Sequence, residues 1–266
     1  MTVIKEVTEI LDLLYKHGWD ERNGGNLSYI LTEEEVKSIC DPNKVIKSFT
    51  YDFNGFDLEE LIGKCFLITG TGTYFKNMIK NPKDNLGVLK VIDKTTLGLL
   101  WGYESGGRPT SEVPTHLKCH IERLKVDKNH RLVIHTHPTN IICMTHICPL
   151  DSDFFTETLW KMQTESIVVF PDGVAVLPWI LCGGSEIGIE TAKLMGEYRS
   201  VVWAQHGIFC TGKTLDEVFG LIETIEKAAE IYLKICDKKI MQSITNQNLL
   251  EIAKAFKIEF RHGIID

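Results

Sequence analysis

The chain has 266 residues, of which 44% are hydrophobic and 24% are charged, and this ordinary globular composition excludes a disordered or collagen-like protein. Its apolar runs are much shorter than the ~18 residues that a membrane-spanning helix requires, and its net charge of −7 with dispersed basic residues argues against nucleic acid as a partner. The acidic start of the chain is unlike a leader peptide, so a cytoplasmic protein is expected, with neither a membrane nor nucleic acid as a partner.

The eight cysteines are scattered without a C-x-x-C pair, which predicts neither a disulfide framework nor a cysteine zinc site. The negative net charge has a further consequence, because a phosphate group would be repelled at long range. A phosphate site in this chain would therefore need local backbone N–H groups and hydroxyls.

The helical spacing of apolar residues from Val3 to Leu14 predicts an amphipathic helix that ends near Gly18. Apolar runs predict strands at 27–31, 65–69, 87–93, 97–101, 131–137, 166–170, 173–177 and 201–209. Periodicity and capping predict helices at 111–124, 139–146, 152–162, 185–197, 214–236 and 246–257, and the unpatterned stretch 41–60 is expected to be a surface excursion. The irregular mixing of strands and helices favours a single domain over residues 1–266, with a mixed sheet covered by helices.

Two histidines, His135 and His137, end a predicted apolar strand, and because strand side chains alternate, both imidazoles project from the same face. Histidine is the commonest neutral metal ligand, and an H-x-H pair needs only one or two further donors to bind Zn²⁺. His206, which interrupts the run at 201–209 beside Gly207, is a candidate third ligand. Three histidines with an open fourth position are typical of a catalytic site, whereas buried histidines with ordinary hydrogen bonds are the alternative interpretation.

A second histidine group lies on one predicted helix, where Glu112, His116 and His120 are spaced four residues apart and share a face. The segment lacks the glutamate of the H-E-x-x-H motif, so a zinc pair on this helix is disfavoured. Glu112 follows Ser111 at the helix start, where a serine can cap the helix and the dipole favours a carboxylate. It is therefore either a candidate acid or an ordinary helix-terminus residue.

Two glycine-rich loops could supply the donors that a phosphate needs, at 23–26 (Asn-Gly-Gly-Asn) and at 69–72 (Thr-Gly-Thr-Gly). Each is also an ordinary turn sequence. A third segment, 207–214, formally matches the phosphate-binding-loop pattern G-x-x-x-x-G-K-[ST]. Because 208–210 continue a predicted strand and Thr214 has a capping role, a nucleotide site there is disfavoured.

Together these motifs resemble the class II sugar-phosphate aldolases over nearly the whole chain. The resemblance is carried by the stretches 18–27, 69–72, 109–112, 135–137, 169–174 and 206–207. It implies a three-layer α/β/α fold with a mixed, largely antiparallel central sheet, and a homotetramer with active sites near subunit interfaces. The activity that it implies is the reversible cleavage of L-rhamnulose 1-phosphate to dihydroxyacetone phosphate and L-lactaldehyde.

The resemblance also implies roles for individual residues. His135, His137 and His206 would hold one Zn²⁺ per subunit, Glu112 would be the catalytic acid/base, and Glu165 would be a second acid at an interface. The phosphate would be surrounded by Asn23, Gly25, Asn26, Thr71, Gly72 and Ser111. Thr71 departs from the serine of the family pattern, since it keeps the hydroxyl but adds a methyl group that could tighten the phosphate pocket.

Two alternatives to this function are open at the level of sequence. An L-fuculose-phosphate aldolase or a ribulose-phosphate 4-epimerase would share the metal ligands and differ around the aldehyde end of the substrate. A non-catalytic interaction domain that resembles the adducin head would share the fold, but the presence of all three histidines and of Glu112 argues against it.

Overall fold

The computed structural model describes residues 2–53 and 56–265, and it places nine strands of these residues in one sheet. The strands are β1 (Asn26–Leu31), β2 (Lys47–Thr50), β3 (Cys65–Thr69), β4 (Leu86–Val91), β5 (Thr96–Gly102), β6 (Leu132–Thr136), β7 (Ala175–Leu177), β8 (Ser200–Trp203) and β9 (Gly207–Gly212). Their order is β2-β5-β4-β3-β1-β6-β9-β8-β7. Every neighbouring pair is antiparallel except β7 and β8, so the expected mixed, largely antiparallel sheet is confirmed.

Helices cover both faces of the sheet. They are α1 (Val3–Lys16), α2 (Glu33–Ile39), α3 (Phe75–Met78), α4 (Pro82–Asn85), α5 (Val113–Val126), α6 (Thr139–Ile147), α7 (Ser152–Trp160), α8 (Ser166–Val169), α9 (Ser185–Met195), α10 (Leu215–Ile235) and α11 (Asn246–Phe256). Alternate strand residues point to opposite faces, so Leu67 packs with α1 and α10 while Phe66 packs with α5. The layers are α/β/α, as expected. Within the two described ranges, no helix combines the length and the apolar character needed to cross a bilayer.

Three segments differ from the sequence predictions. The run 166–170 is not a strand but the helix α8, in which the N–H groups of Val168 and Val169 donate to the carbonyl of Glu165. A four-residue apolar run has no period that separates strand from helix, and here it packs against α10 and α11. The run 201–209 is split into β8 and β9 by a tight turn. The stretch 41–60 contributes the edge strand β2, although Asn54 and Gly55 of this stretch lie outside the described residues.

The phosphate-loop interpretation of 207–214 is wrong. Residues 207–212 form β9, whose backbone pairs with β6 on one side and β8 on the other, so no open loop is available to surround a phosphate. Thr214 caps α10 by accepting a hydrogen bond from the N–H of Glu217 at 3.1 Å, and the carboxylate of Glu217 accepts from the N–H of Lys213.

The segments that carry the sequence motifs lie close together along one edge of the sheet, where several strands end or begin. Because antiparallel neighbours run in opposite directions, the end of β3, the start of β1, the end of β6 and the start of β9 lie side by side. Asn26 is thereby paired with His135 across β1 and β6. The loop after β3 joins the loop before α5, since the N–H of Thr71 donates to the carbonyl of Arg108 and that of Thr110 to Thr69.

Candidate active site

Three imidazole rings converge at this edge of the sheet. Nε2 of His135 lies 3.3 Å from Nε2 of His206 and 3.2 Å from Nε2 of His137. His135 is fully buried, and the other two rings are partly exposed, so the cluster opens towards solvent on one side. The end of β6 and the turn before β9 are adjacent in the sheet, which is why residues distant in sequence can meet.

Hydrogen bonds at the remaining ring nitrogens fix which atoms face the centre of this cluster. Nδ1 of His135 lies 3.1 Å from the carbonyl oxygen of Ile208, and Nδ1 of His137 lies 2.8 Å from Oε1 of Glu21, so both Nδ1 atoms are donors. Burial, with the neighbouring histidines adding to it, holds the pKa of His135 well below its ordinary value and lowers that of His206 to about 4. Three Nε2 atoms that approach one another within hydrogen-bond distance fit a divalent metal, which would accept a lone pair from each of them.

Two glycines, Gly207 and Gly24, allow the histidine rings to lie very close to the backbone. A Cβ atom at Gly207 would lie 2.5 Å from the carbonyl oxygen of Thr136 and 2.8 Å from Cδ2 of His137. A Cβ atom at Gly24 would lie 2.5 Å from Cε1 of the same ring. All three distances are far below van der Waals contact, so neither position can carry a side chain without moving His137 or the backbone beside it.

His206 is presented by a strained turn. Gln205 has φ of +57°, a left-handed conformation that residues other than glycine adopt rarely. Its N–H donates to Oγ1 of Thr145 at 2.9 Å, and its side-chain amide donates to the Thr145 carbonyl at 2.8 Å. Helix α6 therefore holds the turn in the conformation that directs His206 towards His135.

Glu112 stands at the first position before α5, at the same edge of the sheet. Its N–H donates to Oγ1 of Thr110 at 3.3 Å, so Thr110 rather than the expected Ser111 makes the hydrogen bond at this helix start. Its Oε2 accepts from Nδ2 of Asn26 at 3.0 Å. Burial raises the pKa of Glu112 to about 7, although the Asn26 hydrogen bond opposes that shift. A carboxyl group with such a pKa can both give and take a proton near neutral pH.

The expected phosphate residues lie at this edge, in the loop before β1, the loop after β3 and the segment before α5. They differ in whether their polar groups already have hydrogen-bond partners within the protein. The N–H of Gly25 already donates to Oδ1 of Asp20 at 2.9 Å, and the amide of Asn26 is engaged with Glu112 and His116. The remaining four residues are exposed, and they are Asn23, Thr71, Gly72 and Ser111.

Comparison with known proteins identifies the family. The family model for the Class II Aldolase and Adducin N-terminal domain matches residues 5–233. The chain belongs to this family. Rhamnulose-1-phosphate aldolase of Listeria welshimeri is 47% identical over 265 residues, covering 98% of this chain and 94% of the relative, and that of Enterococcus faecalis is 45% identical, covering 99% and 94%. The crystal structure of a sugar-phosphate aldolase from Thermotoga maritima aligns with a TM-score of 0.75 at 27% identity, covering 90% of this chain and 97% of that one.

Glu165 of this class II aldolase is exposed and directly precedes α8, in a part of the sequence that lies apart from the three histidines. It lines a surface cavity of about 370 Å³ together with His17 and Trp19. The carbonyl of Trp19 accepts a hydrogen bond from the N–H of His137 at 2.8 Å, so this cavity borders the segment that carries two of the converging histidines. Within the described residues, no hydrogen bond or ion pair joins the Glu165 side chain to the histidine cluster.

Several residues that shape the site of the aldolase were not singled out from its sequence. Gly24 was overlooked beside Gly25, and the Gln205–Thr145 pair has no sequence signal because it depends on where α6 packs. The centre of the Trp203 ring lies 5.1 Å from the ring centres of both His135 and His206. Its Nε1 donates a hydrogen bond to Oγ1 of Thr191, which holds the indole in place. The only hint in the sequence was the position of Trp203 in the predicted strand, three residues before His206.

Proposed function

We propose that this class II aldolase cleaves L-rhamnulose 1-phosphate reversibly to dihydroxyacetone phosphate and L-lactaldehyde. The observation that carries the proposal is the convergence of three histidine Nε2 atoms at the sheet edge that also holds Glu112. The substrate is favoured by the 45–47% identity to rhamnulose-1-phosphate aldolases over nearly the full chain. The L-fuculose 1-phosphate aldolase with a similar fold is only 19% identical, so that activity is the second candidate.

His135, His137 and His206 would hold one divalent ion per chain, and three imidazole ligands suit Zn²⁺. The ion, when bound, supplies a Lewis acid that draws electron density from the substrate oxygens while the carbon–carbon bond is broken. The three intact histidines also disfavour the non-catalytic alternative, because an adducin-like interaction domain does not require a metal site.

Glu112 acts as the acid and base of the proposed reaction. In the cleavage direction its carboxyl group gives a proton to the carbon that loses the aldehyde, and in the synthesis direction its carboxylate removes that proton. The pKa of about 7 supports both roles, because both protonation states are populated at neutral pH. The hydrogen bond from Asn26 holds the carboxyl group in place for this transfer.

The substrate phosphate would bind at the exposed positions of the two loops, where Thr71 and Ser111 offer hydroxyls and Gly72 offers a backbone N–H. Local donors of this kind are what a protein with a net charge of −7 requires. Asn23 would complete the donor set from the loop before β1, whereas Gly25 and Asn26 shape the site through contacts within the protein.

Glu165 would act as the second acid from a neighbouring subunit, because no hydrogen bond or ion pair among the described residues of one chain connects it with the histidines. This role requires an oligomer, and we propose a homotetramer of single-domain subunits in the cytoplasm. Sedimentation velocity at several protein concentrations measures the subunit number directly.

The decisive experiment is a cleavage assay with L-rhamnulose 1-phosphate, L-fuculose 1-phosphate and a ribulose phosphate, run before and after chelation. We expect dihydroxyacetone phosphate from the first substrate, loss of activity with the chelator and recovery with Zn²⁺. Equal or faster cleavage of the fuculose compound would transfer the proposal to the second candidate. Activity that persists in metal-free protein would contradict the assignment of the histidines.

A further inference from the structure

A buried chain of hydrogen bonds connects Glu112 with two histidines of α5. Asn26 donates from Nδ2 to Glu112, and its Oδ1 contacts Nε2 of His116. Oγ of Ser28 lies 2.7 Å from Nδ1 of His116 and 2.8 Å from Nε2 of His120. Asn26, Ser28 and both histidines are at most 5% exposed, so water does not compete for these hydrogen bonds.

The position of each proton along this chain can be deduced, because both rings are neutral. Burial lowers the pKa of His116 and of His120 to about 3, so each ring carries one N–H at neutral pH. Asn26 donates to Glu112 and therefore accepts at Oδ1, which makes Nε2 of His116 a donor and Nδ1 an acceptor. The Ser28 hydroxyl then donates to His116, and its oxygen accepts from Nε2 of His120.

The opposite proton order would rotate the Asn26 amide and place the His120 proton on Nδ1. That nitrogen is buried and has no hydrogen-bond partner among the described residues. A buried N–H group without an acceptor is rarer in proteins than an acceptor without a donor. The unpartnered nitrogen of His120 thus sets the direction of the whole chain, and Asn26 presents its NH₂ group to Glu112.

We propose that His116, supported by Ser28 and His120, is a positioning residue that fixes the Asn26 amide and thereby the carboxyl group of Glu112. This inference rests on the proposed function, because Glu112 transfers a proton only in that reaction. An amide that is free to rotate would turn its carbonyl towards Glu112 for part of the time and repel the ionised carboxylate. An amide that is held in one orientation keeps the carboxylate aligned without reorganisation during the reaction.

The first test locates the protons. In whole protein labelled with ¹⁵N-histidine, long-range ¹H–¹⁵N correlations distinguish the Nε2–H tautomer from the Nδ1–H tautomer, and single substitutions assign the signals. We expect neutral Nε2–H rings for both residues from about pH 5 to about pH 8. A His116 ring with its proton on Nδ1, or with two protons at neutral pH, would overturn the proposal whatever the substrate is.

The second test measures kinetics. His116→Phe keeps a buried ring but removes both nitrogens, and we expect kcat to fall roughly 10- to 100-fold with KM changed by less than about threefold. Ser28→Ala should reduce kcat as well, and Ser28→Thr, which keeps the hydroxyl, should restore it.

The matched control is His130→Phe, since His130 is buried and accepts from Nε of Arg123 at 3.1 Å outside this chain of hydrogen bonds. It should lower stability and leave kcat within about twofold of the parent. An unchanged kcat in His116→Phe, or an equal loss in His130→Phe, would refute the positioning role. A wild-type protein without aldolase activity would refute the proposed function instead, while the tautomers would still decide the orientation of Asn26.

Discussion

Gly24 and His137 are packed so tightly that the site of a Cβ atom on the glycine lies 2.5 Å from Cε1 and 2.7 Å from Nδ1 of the ring. Nδ1 is also the atom that hydrogen-bonds Glu21, so any side chain at position 24 competes with the contact that orients the imidazole. The loop before β1 is therefore part of the scaffold for the proposed metal, although it contributes no ligand.

Gly24→Ala should displace the His137 ring and weaken zinc binding by roughly 10- to 100-fold, the usual cost of losing a contact that orients a ligand. Competition with a chromophoric chelator measures this affinity. Gly220→Ala is the matched control, because a Cβ atom at that helical glycine meets nothing within 4 Å. Equal zinc affinity in both variants would show that the loop can move to accept the methyl group without displacing His137.

His206→Ala removes one of the three converging Nε2 atoms, and we expect the zinc content to fall from about one per chain to near zero. Elemental analysis of protein dialysed against metal-free buffer gives this ratio. His146→Ala, which changes an exposed histidine of α6, should leave the content unchanged. Retention of one zinc per chain in His206→Ala would remove this residue from the metal site.

Glu112→Gln keeps the size of the side chain but cannot exchange a proton, so cleavage should slow by roughly 10²- to 10⁴-fold with normal zinc content. Steady-state kinetics with metal analysis of the same sample checks both parts. Glu122→Gln, which removes a carboxylate of α5 that pairs with Lys125 at 3.0 Å, should behave as the parent. Near-normal turnover of Glu112→Gln would assign the proton transfer to another group.

The raised pKa of Glu112 also predicts how stability depends on pH in the metal-free protein. The folded protein keeps the Glu112 proton up to about pH 7, whereas the unfolded chain releases it near the ordinary pKa of 4.5. The contribution of this proton to the free energy of unfolding is therefore complete below pH 4.5 and is lost as the pH rises through 7. Urea unfolding at several pH values should show the parent losing about 1–3 kcal/mol relative to Glu112→Gln across this interval. A constant difference between the two proteins would mean that the carboxyl group is not buried in solution.

Glu165→Ala should slow removal of the proton from the hydroxyl that becomes the aldehyde oxygen in cleavage, and its return in synthesis, and thereby reduce kcat. If Glu165 acts across a subunit interface, oligomers assembled from Glu165→Ala and Glu112→Gln chains contain some sites with both native residues. Co-expression should then give more activity than either variant alone, as measured by the cleavage assay. Activity no higher than the sum of the separate variants would place Glu165 outside any shared site.

The convergence of the three candidate metal ligands could be predicted from sequence because their signals are local. His135 and His137 follow an apolar strand, and His206 lies next to Gly207 in another, so strand geometry alone brings the rings towards one edge. The geometry at Gln205 could not be predicted, since its left-handed backbone depends on Thr145 of a helix distant in sequence.

The errors have equally physical causes. Periodicity cannot classify four apolar residues, so 166–170 was interpreted as a strand, and a continuous apolar run concealed the hairpin turn at 204–206. The family resemblance places Asn26 among the phosphate residues, and that role stays a prediction. Its engagement with His116 became visible only when β1 and α5 were placed side by side.

The ligand set spans 71 positions of the chain, from His135 to His206, and closes only when β6 pairs with β9. A nascent polypeptide emerging from the ribosome thus has no intact metal centre until most of its length has been synthesised. The proposed metal would therefore stabilise only a nearly complete fold, and truncated or stalled chains would be left without that stabilisation.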